Sequence, residues 1–107
     1  MQAITAIVRP EKVLDVQEGL NEAGFYALSK WMISGRGKQK GIQVGDVVYE
    51  EMTKSMLYLV VPDDDKDEVV DIVMQHAMTG ESGNPGDGRV FVSPVAEAYT
   101  ISGQKKD

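Results

Sequence analysis

Two short stretches carry the side chains and backbone suited to holding an anion. GRGKQKG, Gly35–Gly41, sets three glycines and three cations, Arg36, Lys38 and Lys40, in seven residues. Glycine lets the backbone aim N–H groups at a guest without a Cβ in the way. The alternating cations converge on one anion from several directions, and Gln39 both donates and accepts hydrogen bonds. By itself this pattern equally fits a flexible loop whose charges serve solubility. The second stretch, GESGNPGDGR, Gly80–Arg89, is also rich in glycine and also ends in a cation. Neither contains GxxxxGK[ST] or GxGxxG, so the familiar phosphate fingerprints are absent. Two such stretches in one small chain favour a bound phosphate or carboxylate over coincidence.

Other chemistry finds little support. The one histidine, His76, has no second histidine or cysteine to join in binding a metal or activating a nucleophile, and reads as a surface or half-buried helix residue. The serines lie in no nucleophile-elbow pattern. Asp63–Glu68, DDDKDE, lacks the alternating ligands, central glycine and distal glutamate of a calcium loop and reads as a helix cap. With no cysteine, disulfides, thiolate catalysis and iron–sulfur ligation are excluded. A net charge of −6 argues against a general nucleic-acid binder and against an anionic membrane surface. Without a signal pattern or a long apolar run, the chain is expected to be cytoplasmic and not inserted in a membrane.

The elements that position the two stretches follow from periodicity. The 107 residues suit one domain spanning 1–107. QAITAIVR alternates Ile4, Ala6 and Val8 against Thr5 and Ile7, as a strand does. Pro10 opens a helix whose apolar face is Val13, Val16, Leu20 and Ala23 and whose stop is Gly24. FYALSKWMISG is a second strand. Residues 36–53 have few core-building side chains and read as a long flexible loop. SMLYLVVP is a third, central strand. A second helix follows, with Val69, Val70, Ile72, Val73 and Ala77 on its apolar face. RVFVSPV is a fourth strand. Residues 95–107 form a C-terminal arm, with AYTISG a short strand and QKKD frayed.

Strand–helix–strand occurs twice. This is the α+β, ferredoxin-like split βαβ (βαββαβ) plan, with two helices on one face of an antiparallel four-stranded sheet. Met56, Tyr58 and Val60 alternate along the third strand toward the other face, which implies an oligomer. The second glycine stretch takes the same helix-to-strand position as the first turn of the repeat.

Four stretches, AIVRPEKVLDVQEGLNEAGFYAL, GRGKQKG, VVPDDDKDEVVDIVMQHAMTGE and GDGRVFVSPVAEAYTI, together cover most of the sequence. In them the chain resembles the PII nitrogen-regulatory signal-transduction family. The resemblance implies a non-enzymatic trimer, homomeric or mixed with a second PII-like subunit. Its clefts would take ATP or ADP, with 2-oxoglutarate joining Mg-ATP, and its long loop would engage a target. It implies nucleotide contacts from Ser29, Gly37, Lys38, Gln39, Gly86, Asp87, Gly88 and Arg89. Gln39 would also ligate magnesium and touch 2-oxoglutarate, beside Lys40, Gly41 and Lys54. The YRGAEY segment with its modifiable tyrosine is missing; the loop reads IQVGDVVYEEMTK, and Tyr49 does not inherit that role. Arg89 replaces the usual lysine, a few residues near GNP lengthen the second loop, and Thr100 and Ser102 stand where relatives have phosphate-gripping arginines. The loop motif and AEAYTI are similar to the nitrogenase-associated branch, so nitrogenase is the expected target. Alternatives are ammonium transport or glutamine synthesis as the regulated process, or an acylphosphatase-like enzyme. An RNA-binding sheet would need central-strand aromatics, and the third strand supplies only Tyr58.

Overall fold

Alternation along the first strand sorts its larger residues between two environments, while the small Ala3 is buried on the second face. In the computed structural model, β1 (Gln2–Val8) buries Ile4, Ala6 and Val8 and leaves Thr5 and Ile7 half-buried on the opposite face. The backbone is described for residues 1–44 and 47–107, and side chains for residues 1–36 and 52–107. A 3-10 turn, Pro10–Lys12, leads into α1 (Val13–Glu22). Then come β2 (Ser29–Val44), β3 (Val47–Val61), a second 3-10 turn, α2 (Lys66–Ala77) and β4 (Gly88–Pro94). All three pairings are antiparallel, and the sheet order is β2-β3-β1-β4. This is the split βαβ plan, with β1 and β3 central and both helices on one face.

The core lies between that face and the helices. Val13, Val16 and Leu20 of α1 and Val69, Val73 and Ala77 of α2 meet Ile4, Ala6, Val8, Leu57, Leu59 and Val61. Burying a side chain such as Leu20 contributes about 2 kcal/mol. Val70 and Ile72 pack at the core margin. Ala23, expected on the apolar face, is exposed, because α1 ends one residue earlier. Gly24, with φ +92°, reverses the chain so that the Phe25 N–H returns to the Leu20 carbonyl.

The helices approach closely at Gly19. A Cβ there would stand 2.6 Å from the His76 ring. That ring is further held by a 2.8 Å contact between Nδ1 and the Ile72 carbonyl. His76 is thus half-buried helix packing. Gly19→Ala is expected to cost about 1–2 kcal/mol by overpacking, seen as a lower urea midpoint with unchanged slope. Gly19→Ala paired with His76→Ala should recover most of the loss.

Two segments differ from the sequence expectation. Residues 36–53, read as a loop, carry the β2–β3 ladder: Gly35 pairs with Met52, Arg36 with Glu51, and Val44 with Val47, the register shifting between Lys38 and Ile42. Val44, Val47, Val48 and Tyr49 are good strand formers, while the intervening glycines dilute the apolar signal that marks a strand. Gly45 and Asp46 lie outside the described residues. The QKKD end, expected to fray, closes a small ribbon in which β5 (Tyr99–Thr100) pairs with β6 (Lys105–Lys106). Gly103 at φ +80° and Gln104 at φ +49° make the reversal.

Among the described residues, nothing packs over the sheet face away from the helices. Trp31, Tyr58, Val60 and Phe91 are exposed there, Phe91 by 50%. Among the described residues, no helix is long and apolar enough to cross a membrane.

Candidate functional site

The C-terminal end of β1 brings the two glycine-rich stretches together. β1 pairs with β3 on one side, Val8 opposite Ser55, and with β4 on the other, Val8 opposite Gly88. The base of the long hairpin and the start of β4 therefore flank the same strand end. Between them is a cleft of about 330 Å³, lined by Gly35 and Arg36 on one side, Gly86, Gly88 and Arg89 on the other, and Lys54.

Lys54 is the unusual member. Its place on β3 sends it to the same face as Met56 and Tyr58, yet it is only 8% exposed. Its Nζ donates to the Gly86 carbonyl. Burial, then the positive charge of Arg9, push the ammonium below the ordinary lysine range, while Glu11 and Asp87 oppose the shift. A buried cation with one carbonyl acceptor among the described residues is suited to an incoming anion.

The second stretch is shaped by Asp87. Its Oδ1 accepts from Arg9 Nε at 2.9 Å and from the Thr79 hydroxyl at 2.7 Å. Its Oδ2 accepts from the backbone N–H groups of Thr79, at 3.0 Å, and Asn84, at 2.9 Å. Asn84 returns hydrogen bonds from Nδ2 to the Thr79 hydroxyl and carbonyl. The loop thus closes on itself and on the end of α2. Gly86, with φ +97°, and Gly88, with φ +115°, hold backbone angles that other residues rarely adopt.

These donors hold the Asp87 carboxyl well below the usual carboxylate range, the Thr79 hydroxyl first among them. A depressed folded pKa stabilises the fold fully above the unfolded value, about 3.9, and the contribution fades as pH falls toward the folded value. Asp87→Asn is therefore expected to melt lower than the parent at pH 7, with the gap narrowing steadily as pH falls from about 5 to about 2. Thermal melts across that range measure it. A constant gap would remove Asp87 ionisation as the cause.

Of the residues singled out in the sequence, Lys54, Gly86, Gly88 and Arg89 meet at this cleft. Asp87 is present, but its carboxylate faces into its own loop. Ser29 is not brought in: it pairs with Tyr58, four residues along β3 from Lys54, or about 13 Å. The side chains of Lys38, Gln39 and Lys40, with Gly37 and Gly41, fall outside the described residues. Sequence reasoning missed Arg9, Thr79 and Asn84 as the partners of Asp87 that shape the second stretch beside the cleft. The available signal was an Asn three residues before an Asp in a glycine-rich turn, a pattern that favours side-chain-to-backbone bonds.

Fold and cleft together define a small α+β domain with a cation-lined cleft at one end of its sheet. The chain belongs to the nitrogen regulatory protein P-II family, whose model matches residues 1–105. It is 46% identical over 106 residues to "Nitrogen fixation nifHD region GlnB-like protein 1" of Methanobacterium ivanovii, covering 99% of this chain and 98% of that one. It is 48% identical, with the same coverage, to "Nitrogen fixation nifHD2 region GlnB-like protein 1" of Methanosarcina barkeri. A Methanothermococcus thermolithotrophicus relative of the nifHD region is 48% identical over 101 residues, covering 94% of this chain and 93% of that one. The chain is accordingly a PII-like nitrogen regulator rather than an enzyme.

Proposed function

We propose that this regulator senses ATP or ADP together with 2-oxoglutarate, acts in the cytoplasm, and uses the β2–β3 hairpin to control nitrogenase. The observation that carries the reading is Lys54, a buried ammonium between two glycine-rich segments and near Arg36 and Arg89. The donor set fits multiply charged anions. Gly86 and Gly88 bring backbone close to a phosphate, while Arg36, Lys54 and Arg89 supply charge. Gln39, Lys40 and Gly41 would complete the site for magnesium and the keto acid, and Gly37 and Lys38 would add phosphate contacts.

The exposed face bearing Trp31, Tyr58 and Phe91 supports a trimer, with itself or with a second PII-like subunit. Ser29 then reaches a nucleotide only in a neighbour's cleft. Thr100 and Ser102 offer hydroxyls rather than guanidinium groups, which implies modest nucleotide affinity. Nitrogenase as the target rests on the nifHD-region names of the relatives.

Calorimetry tests the reading. Titrating 2-oxoglutarate should release heat only when Mg-ATP is present. Lys40→Ala is expected to abolish that heat while the assembly keeps its size by light scattering. No heat from the parent protein in any combination would refute the sensor; an unchanged Lys40→Ala isotherm would move the site elsewhere. Capture of nitrogenase components that responds to 2-oxoglutarate would establish the target, and indifference would exclude it.

A further inference from the structure

We propose that Arg9 is the positioning residue of the cleft: through Asp87 and the Pro85 carbonyl it fixes the bend that presents Gly86, Gly88 and Arg89 to a ligand. The proposal rests on the nucleotide reading above for its binding arm, and on geometry alone for its structural arm.

Arg9 is well placed to act as an anchor. It follows the last residue of β1, and its carbonyl accepts the Lys12 N–H at 2.9 Å in the turn that Pro10 opens. Its backbone is thereby fixed from both sides. The guanidinium then spans two acceptors on the far loop, Nε to Asp87 Oδ1 at 2.9 Å and Nη2 to the Pro85 carbonyl at 3.0 Å. A planar fork gripping two acceptors restrains orientation as well as distance.

Asp87 spreads that restraint. Its four donors come from the end of β1, from Thr79 just past α2, and from Asn84 inside the loop. Three otherwise separate segments meet on one carboxylate. Residues 80–88 include four glycines with positive φ, so an unanchored loop would sample many shapes and lose entropy on binding. Ordering it beforehand lowers that cost.

Lys54 cannot substitute for this anchor. It also holds the loop, at the Gly86 carbonyl, but its ammonium is the group that an anion would claim. When that bond is given up, the Arg9–Asp87 pair remains. Arg9 thus separates holding the loop from binding the ligand.

A double-mutant cycle on the full chain, read by Mg-ATP calorimetry, tests the proposal. Arg9→Met and Asp87→Asn should each weaken Mg-ATP about tenfold, and the double variant should be no weaker than about tenfold, because both break one contact. Arg9→Lys keeps the charge and one donor for Asp87 but not the fork that also reaches the Pro85 carbonyl, so it should recover only part of the roughly tenfold loss. Thr79→Val, a milder change that removes one hydroxyl donor, should weaken binding about threefold and serves if Arg9→Met fails to fold. Without ligand, amide exchange over residues 82–88 should quicken in both Arg9→Met and Asp87→Asn.

Unchanged affinity in Arg9→Met would overturn the proposal. So would a double variant weakened about a hundredfold, since additive losses would make Arg9 a direct ligand contact. Unchanged exchange would overturn it independently of any ligand. If the parent protein binds no Mg-ATP, the nucleotide reading fails, and the exchange measurement alone decides the role of Arg9.

Discussion

Gly88→Ala should lower the stability of the domain by roughly 3 kcal/mol, the sum of backbone strain and forced overpacking. Gly88 begins β4 with φ +115°, and a Cβ there would run into the Ile7 carbonyl, with the Val8 Cα only 3.2 Å away. These obstacles are β1 backbone, paired on both sides within the sheet, and cannot swing aside as a side chain can. For a domain this size the loss corresponds to a melting point lower by about 15 °C. Gly103→Ala is the control. Gly103 also has positive φ, +80°, but a Cβ there meets nothing within 4 Å, so only the conformational penalty of about 1 kcal/mol applies. Circular dichroism melts compare the two. Equal losses would mean that the close approach of β4 to β1 has no energetic consequence.

The features legible in the sequence are those written in periodicity. Ile4, Ala6 and Val8 alternate with Thr5 and Ile7, and the sheet sorts them accordingly. Val69, Val73 and Ala77 recur at helical spacing and are buried. Met56, Tyr58 and Val60 turn to the uncovered face as their alternation requires. Gly24 stops α1 through positive φ. The extended hairpin was not legible, because its glycines and charges interrupt the apolar alternation that marks a strand and resemble those of a loop.

The cleft was legible as two glycine–cation stretches but not as a network. That they converge follows from the repeated strand–helix–strand order, which sets both beside the end of β1. That Asp87 turns inward does not, because its partners, Arg9 and Thr79, are 78 and 8 residues away and come together only through the sheet and the end of α2. Gly19 against His76 is a similar case: each residue is unremarkable alone, and the contact exists only once the two helices pack. A sequence pattern reports the environment of one element, whereas a polar cluster drawn from three elements depends on how they dock.

Lys54→Met is expected to separate binding from stability. Losing a charge-assisted contact from a side chain only 8% exposed should weaken 2-oxoglutarate about a hundredfold, or about 2.7 kcal/mol, with Mg-ATP altered far less. Stability should change by less than about 1 kcal/mol, because two effects offset. The Gly86 carbonyl loses its donor. In return, the fold no longer has to desolvate an ammonium beside the positive charge of Arg9. The direction of the lysine shift adds a signature. A folded lysine pKa below the unfolded one means the unfolded chain binds more protons between the two values, so parent stability rises with pH across that alkaline window. Lys54→Met should lack that rise. Lys54→Arg should not restore binding, because a larger planar group does not fit a position that is 8% exposed. Calorimetry and urea unfolding at pH 7 and pH 10 measure all three effects. An unchanged 2-oxoglutarate isotherm would show that the ligand does not reach Lys54. A stability loss above about 2 kcal/mol would instead make Lys54 a structural fastening of the second glycine loop.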